Sequence, residues 1–362
     1  MNLLIFDMDG VLLEPLGYHR ALQETVRLAG EACGFSDVCL SAEQIARFEA
    51  LGISSEWHSS ALCMAWMTLQ REISPDGQAM DWEPLYAAFE CQPVQASPIQ
   101  RGSAALAEIG FEHDVSAERA VDLLVDCESI QSSPTFNWFQ EMVLGSPAFE
   151  RIYDKACQIN TASYLEKYDR KLLEPVWAER VVCWAGQAEN GAAIMTSRPS
   201  NGPDGFAQEP DGQLGAELVG LGELSLVGNG EMRWLAEQLD VTVAEVKKPA
   251  AAHALAALLA ASGMSVPQSL EVLAGGLDVL GREDFAYLDG STVTVVEDTI
   301  SGMLAVRAAA DVLEKMDVRI TLRNVGVATD AAKVAALEGM GALVYSDVNL
   351  ALEVVLTTDG HR

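Results

Sequence analysis

Asn2-Leu3-Leu4-Ile5-Phe6-Asp7-Met8-Asp9-Gly10 joins a continuous apolar run to two carboxylates and a glycine. A short run without polar alternation reads as a parallel strand buried on both faces, and therefore as a central one. Its carboxyl end presents Asp7 and Asp9 where parallel sheets bind their ligands. Gly10 permits a tight turn directly afterwards.

That strand needs partners, and they come only after residue 190. Short apolar runs recur at Ala192–Thr196, Leu224–Val227, Val293–Glu297, Val325–Ala328 and Ala342–Tyr345. Helical patterns lie between them at Met232–Leu239, Pro249–Ala261, Ile300–Leu313 and Ala331–Leu337. Such alternation predicts an α/β fold with a doubly wound parallel sheet. From about 16 to 189 the texture is helical instead, with helices expected near 18–31, 42–51, 57–72, 101–110, 116–127, 137–143 and 174–188. Trp57, Trp66, Trp82, Trp138, Trp177 and Trp184 fall in that stretch and read chiefly as its core. The expected organisation is thus residues 1–14 plus 190–362 as an α/β core, with 15–189 as a large inserted α-helical domain. Within the core, 202–215 reads as a mobile loop of Gly, Pro, Asp and Gln, and 266–291 as a second, smaller insertion.

Composition narrows the function. The chain carries 53 acidic against 23 basic residues, a formal charge of −30, and no basic stripe. Nucleic acids and anionic membranes are therefore not expected as partners. An anionic substrate would need a metal ion or a few placed cations. Seven cysteines without a Cys-x-x-Cys pair argue for reduced thiols and a cytoplasmic protein. The apolar run at Leu3–Phe6 is too short for a signal peptide. No stretch reaches the roughly eighteen apolar residues of a membrane span.

The polar residues at the ends of the expected strands carry the chemistry. Thr196 is followed by Ser197-Arg198, Glu297-Asp298 ends another strand, and Lys247-Lys248 precedes Pro249 at a helix start. Taken singly, these are ordinary turns, dipole-favoured acids or a proline at a first helical position. Gathered at one sheet edge they make a phosphoryl-transfer set. Asp7, Glu297 and Asp298 offer hard oxygen ligands to Mg²⁺, and Asp9 is counted with them. Thr196 can hydrogen-bond a phosphate oxygen, and a lysine can neutralise the remaining charge. Asp9 stands where it could protonate a leaving group and then deprotonate water.

Leu4-Ile5-Phe6-Asp7-Met8-Asp9-Gly10-Val11-Leu12 resembles the first motif of the haloacid dehalogenase (HAD) hydrolases. Ile194-Met195-Thr196-Ser197-Arg198-Pro199 resembles the second, Lys248-Pro249-Ala250-Ala251-Ala252-His253-Ala254-Leu255 the third, and Val295-Val296-Glu297-Asp298-Thr299-Ile300-Ser301-Gly302-Met303 the fourth. The resemblance implies a Rossmann-like core with a C1-type helical cap. It also implies Asp7 as nucleophile, Asp9 as acid and base, Thr196 as phosphate ligand, Lys248 rather than Lys247 as the cation, and Mg²⁺ as cofactor. Ser197 and Arg198 are then expected at the substrate, Arg198 on an anionic group. His19 is expected at the cap entrance, as a hinge residue or a substrate contact. Asp9 argues against a dehalogenase. The distance from Asp9 to the next lysine, Lys155, argues against a phosphonatase with a cap lysine. The implied activity is a Mg²⁺-dependent phosphatase acting on a small phosphorylated metabolite. A phosphohexomutase is the alternative, and a phosphometabolite-binding regulator without turnover is the non-enzymatic one.

Overall fold

In the computed structural model, which describes residues 1–53, 55–77, 80–93 and 96–358, the N-terminal apolar run is strand β1 (Asn2–Phe6). Successive side chains of a strand point to opposite faces. Accordingly Leu3 and Ile5 enter one hydrophobic cluster, and Leu4 and Phe6 enter another on the opposite face of the sheet. A short ribbon follows, in which β2 (Leu13–Glu14) pairs antiparallel with β3 (Arg170–Lys171).

Between the two halves of that ribbon the chain forms the helices α1 (Leu16–Ala32), α2 (Ala42–Ala50), α3 (Glu56–Ile73), α4 (Glu83–Glu90), α5 (Pro98–Glu112), α6 (Glu118–Asp122), α7 (Pro134–Leu144), α8 (Ser146–Tyr153) and α9 (Tyr164–Tyr168). They constitute a separate compact unit, Leu16–Tyr168. Start signals are in place at several of them: Ser97 with Gln100 forms a capping box on α5, and Ser55 and Ser133 cap α3 and α7. Trp66 and Trp82 are buried here, and the Trp66 indole N–H donates to the carbonyl of Asp81 at 2.8 Å. The buried carboxylate of Glu141 on α7 is this unit's most heavily used polar group. Its Oε1 accepts from Ser146 Oγ (2.6 Å), Ile159 N–H (3.0 Å) and Asn160 N–H (2.9 Å), and its Oε2 from Gln158 N–H (2.7 Å).

The second unit, Met1–Pro15 with Asp169–Arg362, holds the sheet. It contains α10 (Pro175–Ala185), β4 (Asn190–Met195), a 3₁₀ turn at Pro203–Gly205, α11 (Asp211–Leu218), β5 (Ser225–Val227), α12 (Asn229–Leu239), α13 (Val243–Val246), α14 (Ala251–Ala261) and α15 (Val266–Ala274). It continues through α16 (Arg282–Phe285), a second 3₁₀ turn at Ala286–Leu288, β6 (Thr292–Glu297), α17 (Ile300–Lys315), β7 (Thr321–Val327), α18 (Ala331–Gly339), β8 (Leu343–Tyr345) and α19 (Val348–Thr358). The six strands run in the order β5-β4-β1-β6-β7-β8, and every pairing is parallel. Helices α12, α14, α15 and α17 cover one face, and α10, α11 and α19 cover the other. Among the described residues no helix is long and apolar enough to cross a membrane, and the seven cysteines are free thiols.

Three sequence expectations need correction. The helical insertion ends at Tyr168, not at 189, because α10 packs against β4 and buries Ala178 and Val181 beneath the sheet. The stretch 202–215 is not a bare loop: it contains the first residues of α11, with Asp211, Gly212 and Gly215 buried. The stretch 266–291 is not an insertion, since its Leu270, Leu273, Phe285 and Leu288 belong to the same core cluster as β1.

Removing the Glu141 carboxylate would orphan several backbone donors at once, each costing about 1–3 kcal/mol if left buried and unpaired. Glu141→Ala should therefore lose roughly 3 kcal/mol or more in urea unfolding, and Glu141→Gln, which keeps one acceptor, distinctly less. Equal and small losses would show that the loop after α8 does not depend on this carboxylate.

Candidate functional site

Register brings the strand ends level. Phe6 pairs with Ile194 on one side and Val296 on the other, so Asp7 emerges beside Met195-Thr196 and Glu297-Asp298. The Asp7 N–H continues the ladder to the Val296 carbonyl at 2.9 Å. Its carboxylate is nearly buried, and Oδ1 accepts from the Met8 N–H (2.7 Å) and from Lys248 Nζ (2.9 Å). Lys248 Nζ also donates to Glu297 Oε1 at 2.8 Å. Asp298 Oδ2 accepts from Lys333 Nζ at 2.7 Å.

Two glycines make room for this crowding. A Cβ on Gly302, in the first turn of α17, would fall 1.6 Å from Glu297 Oε1. Gly10 has φ +76°, and a Cβ there would fall 2.3 Å from Asp298 Oδ2. One oxygen from each of Asp7, Glu297 and Asp298 lies within 4.8 Å of the other two. Three hard carboxylates, with no thiolate or imidazole among them, suit a hard divalent cation. Burial and the neighbouring Asp7 push the Glu297 carboxyl up from its ordinary value, with Lys248 opposing. Burial likewise raises Asp298, with Lys333 opposing. For Lys248, burial pulls the ammonium down, but Asp7 and Glu297 outweigh it and hold it above the usual lysine range.

Lys248 is fixed from behind. Its N–H donates to His253 Nδ1 (3.2 Å), and His253 Nε2–H donates to the Val227 carbonyl at the end of β5 (3.1 Å). His253 lies on α14, whose alanines and leucines are almost wholly buried. Burial, reinforced by the Lys248 charge, lowers the His253 pKa to about 3, so the imidazole stays neutral. Lys247 is exposed; Lys248, with a side chain 4% exposed, is the lysine at the carboxylates.

Thr196 is fully buried, its N–H bound to the Val227 carbonyl (3.0 Å) and its Oγ1 accepting from the Arg198 N–H (3.1 Å). Ser197 is exposed. Beyond them, Ser200 hydroxyl donates to Glu231 and accepts from the Gly230 N–H (2.8 Å), tying this loop to the start of α12.

Two expected residues sit differently. Arg198 is not a surface contact: its side chain is 1% exposed, with Nε on Asp9 Oδ1 (2.9 Å) and Nη2 on both Asp9 Oδ1 (2.6 Å) and Asp169 Oδ2 (2.8 Å). Asp9 does not join the three-carboxylate group, because its carboxylate is turned to that guanidinium. His19 lies in the first turn of α1, half-buried, in the helical unit. Sequence reading missed Asp169 and Lys333. The first is camouflaged by the basic pair after it. For the second a signal exists: Lys333 is in the first turn of α18 behind its N-cap Asp330, an end of the helix dipole that disfavours cations unless an acid lies beyond.

No family model and no curated protein matches this chain. Solved structures do. An X-ray structure solved as a Northeast Structural Genomics Consortium target aligns over 100% of both chains with a TM-score of 0.67 at 15% identity. The fold is shared along its whole length. "Phosphatase Tt82 from Thermococcus thioreducens" aligns over 93% of this chain and 99% of its own, with a TM-score of 0.45 at 14% identity, an overlap too loose to bear on function.

His253 supplies a pH test. Above pH 6.5 its imidazole is neutral whether folded or unfolded; below that, the unfolded chain binds a proton that the folded one refuses until about pH 3. Stability therefore falls as pH drops through this window, by roughly 2–3 kcal/mol at pH 4.5. Urea midpoints of His253→Gln should fall less steeply between pH 7 and 4.5 than those of the unaltered protein. Parallel slopes would contradict a neutral buried imidazole.

Proposed function

We propose that this chain is a magnesium-dependent phosphatase of the haloacid dehalogenase type, hydrolysing a small phosphate monoester through an aspartyl-phosphate on Asp7. The observation that carries the reading is the Asp7 carboxylate held by Lys248 beside Glu297 and Asp298 at adjoining strand ends. The four motif resemblances in chain order support it, as does an inserted helical unit, read here as the cap.

Asp7, Glu297 and Asp298 would hold the cation. When bound, it would screen the repulsion between an incoming phosphate and the Asp7 carboxylate. Asp7 attacks phosphorus, with its Oδ1 steadied by the Met8 N–H and Lys248. The phosphorus–oxygen bond to the leaving group breaks, and Asp9 gives its proton to the departing alkoxide. Asp9 then takes a proton from water, the water oxygen attacks phosphorus, and the acyl-phosphate bond breaks to restore Asp7 and release inorganic phosphate. Lys248 offsets negative charge on the transferring group. Thr196 Oγ1 accepts from the Arg198 N–H, so its own hydrogen is left to donate to a phosphate oxygen. Ser197, exposed beside it, is the further residue of the α/β unit assigned to the substrate.

The test is phosphate release from a panel of small monoesters. Turnover should require Mg²⁺, stop with chelator, and need no bisphosphate primer. It should fall by at least about a thousandfold in Asp7→Asn, which removes the nucleophile at nearly constant volume. A folded Asp7→Asn protein with near-normal turnover would end the covalent mechanism. Sugar-phosphate isomers forming faster than phosphate would make the enzyme a mutase.

A further inference from the structure

The phosphatase reading gives Asp9 a proton to deliver, and delivery depends on where its carboxylate is held. Asp9 follows β1 in a tight turn closed by the Gly10 N–H on the Leu13 carbonyl (2.7 Å), and bridges to Leu13 at the start of β2. Its side chain is 36% exposed, so packing alone does not fix it. The Arg198 guanidinium does, approaching both oxygens with Nε (2.9 and 3.1 Å) and Oδ1 with Nη2 (2.6 Å). That side-on grip restricts the carboxylate to one plane, as a point charge could not.

Arg198 is in turn held from the far side. Asp169 Oδ2 accepts from Nη2 at 2.8 Å, and the Asp169 side chain has no exposed surface. Asp169 is the residue immediately before β3, the partner of β2. Both carboxylates on the guanidinium therefore hang from one two-stranded ribbon, the segment through which the chain leaves and re-enters the α/β unit. Backbone bonds brace that ribbon further, since the Leu172 N–H donates to the Leu12 carbonyl at 2.9 Å. A buried arginine shared by two carboxylates is costly to assemble, and adds little net stability over an apolar replacement. Its value lies in geometry.

We infer that Asp169 and Arg198 are positioning residues for Asp9: Asp169 fixes the guanidinium, and the guanidinium fixes the carboxylate that must face the leaving group. This rests on the phosphatase reading above. Arg198 acts through Asp9 and Asp169 through Arg198, and a displacement of about 1 Å at a distance can cost on the order of a hundredfold in rate.

The distinguishing property is leaving-group dependence. An alkyl phosphate needs a proton on its departing oxygen, whereas a dinitrophenyl phosphate expels a stable phenolate without one. The full-length protein and Asp169→Asn, which keeps size and an acceptor oxygen while removing the charge, are compared on both esters with Mg²⁺ present. The alkyl ester should lose about 10- to 100-fold in kcat/KM, which reports formation of the aspartyl-phosphate and not the hydrolysis that both esters share, and the activated ester less than about threefold in the same constant. Arg198→Lys, which keeps the charge without the fork, should steepen the dependence in the same sense and serves if Asp169→Asn does not fold. Equal losses on both esters, or no loss on either, would overturn the inference, the first marking a structural role and the second none. Absence of phosphate release from either ester by the unaltered protein would remove the phosphatase reading itself, and this inference with it.

Discussion

Carboxylates that crowd together out of water must be compensated or they protonate. At the carboxyl ends of β1 and β6, Asp7, Glu297 and Asp298 converge within a few ångströms and are almost entirely buried. Lys248 binds two of them and Lys333 binds the third. With all five groups ionised the set carries an excess of one negative charge, and burial beside Asp7 favours the protonated form of Glu297 until a further cation arrives. Such a residue of charge gives a divalent cation, or a cation together with a phosphate, a reason to bind.

Much of the core can be understood as what holds that cluster together. In-register parallel pairing of β4, β1 and β6 sets their ends side by side. Gly302 and Gly10 vacate the volume that Glu297 and Asp298 occupy. His253 anchors the Lys248 backbone to β5 and remains neutral, so it adds no competing charge beside the ammonium. An apolar helix, α14, carries His253 and packs on the face of the sheet opposite α10.

The legible parts of this arrangement are those that leave a local pattern. Strands buried on both faces appear as unbroken apolar runs, so β1, β4, β5, β6, β7 and β8 were all visible, with the residues at their carboxyl ends. The same local reading failed where tertiary partners decide. Helix α10 has an amphipathic pattern no different from that of its predecessors, and only its contact with β4 shows that it belongs to the sheet. Arg198 adjoins Thr196 in sequence and so read as a second anion ligand. Its burial depends on Asp9 and Asp169, residues 189 and 29 positions away. Lys333 lies in a helix with no motif and gains meaning only through Asp298, 35 residues earlier.

The central claim is that the three carboxylates form one cation site. Calorimetric titration of the purified protein with Mg²⁺ at neutral pH tests it without reference to turnover. A single binding event, lost in Asp298→Asn and retained in a variant of an exposed acid such as Glu338→Gln, is the predicted result. Failure to bind, or binding untouched by Asp298→Asn in a folded protein, would contradict it.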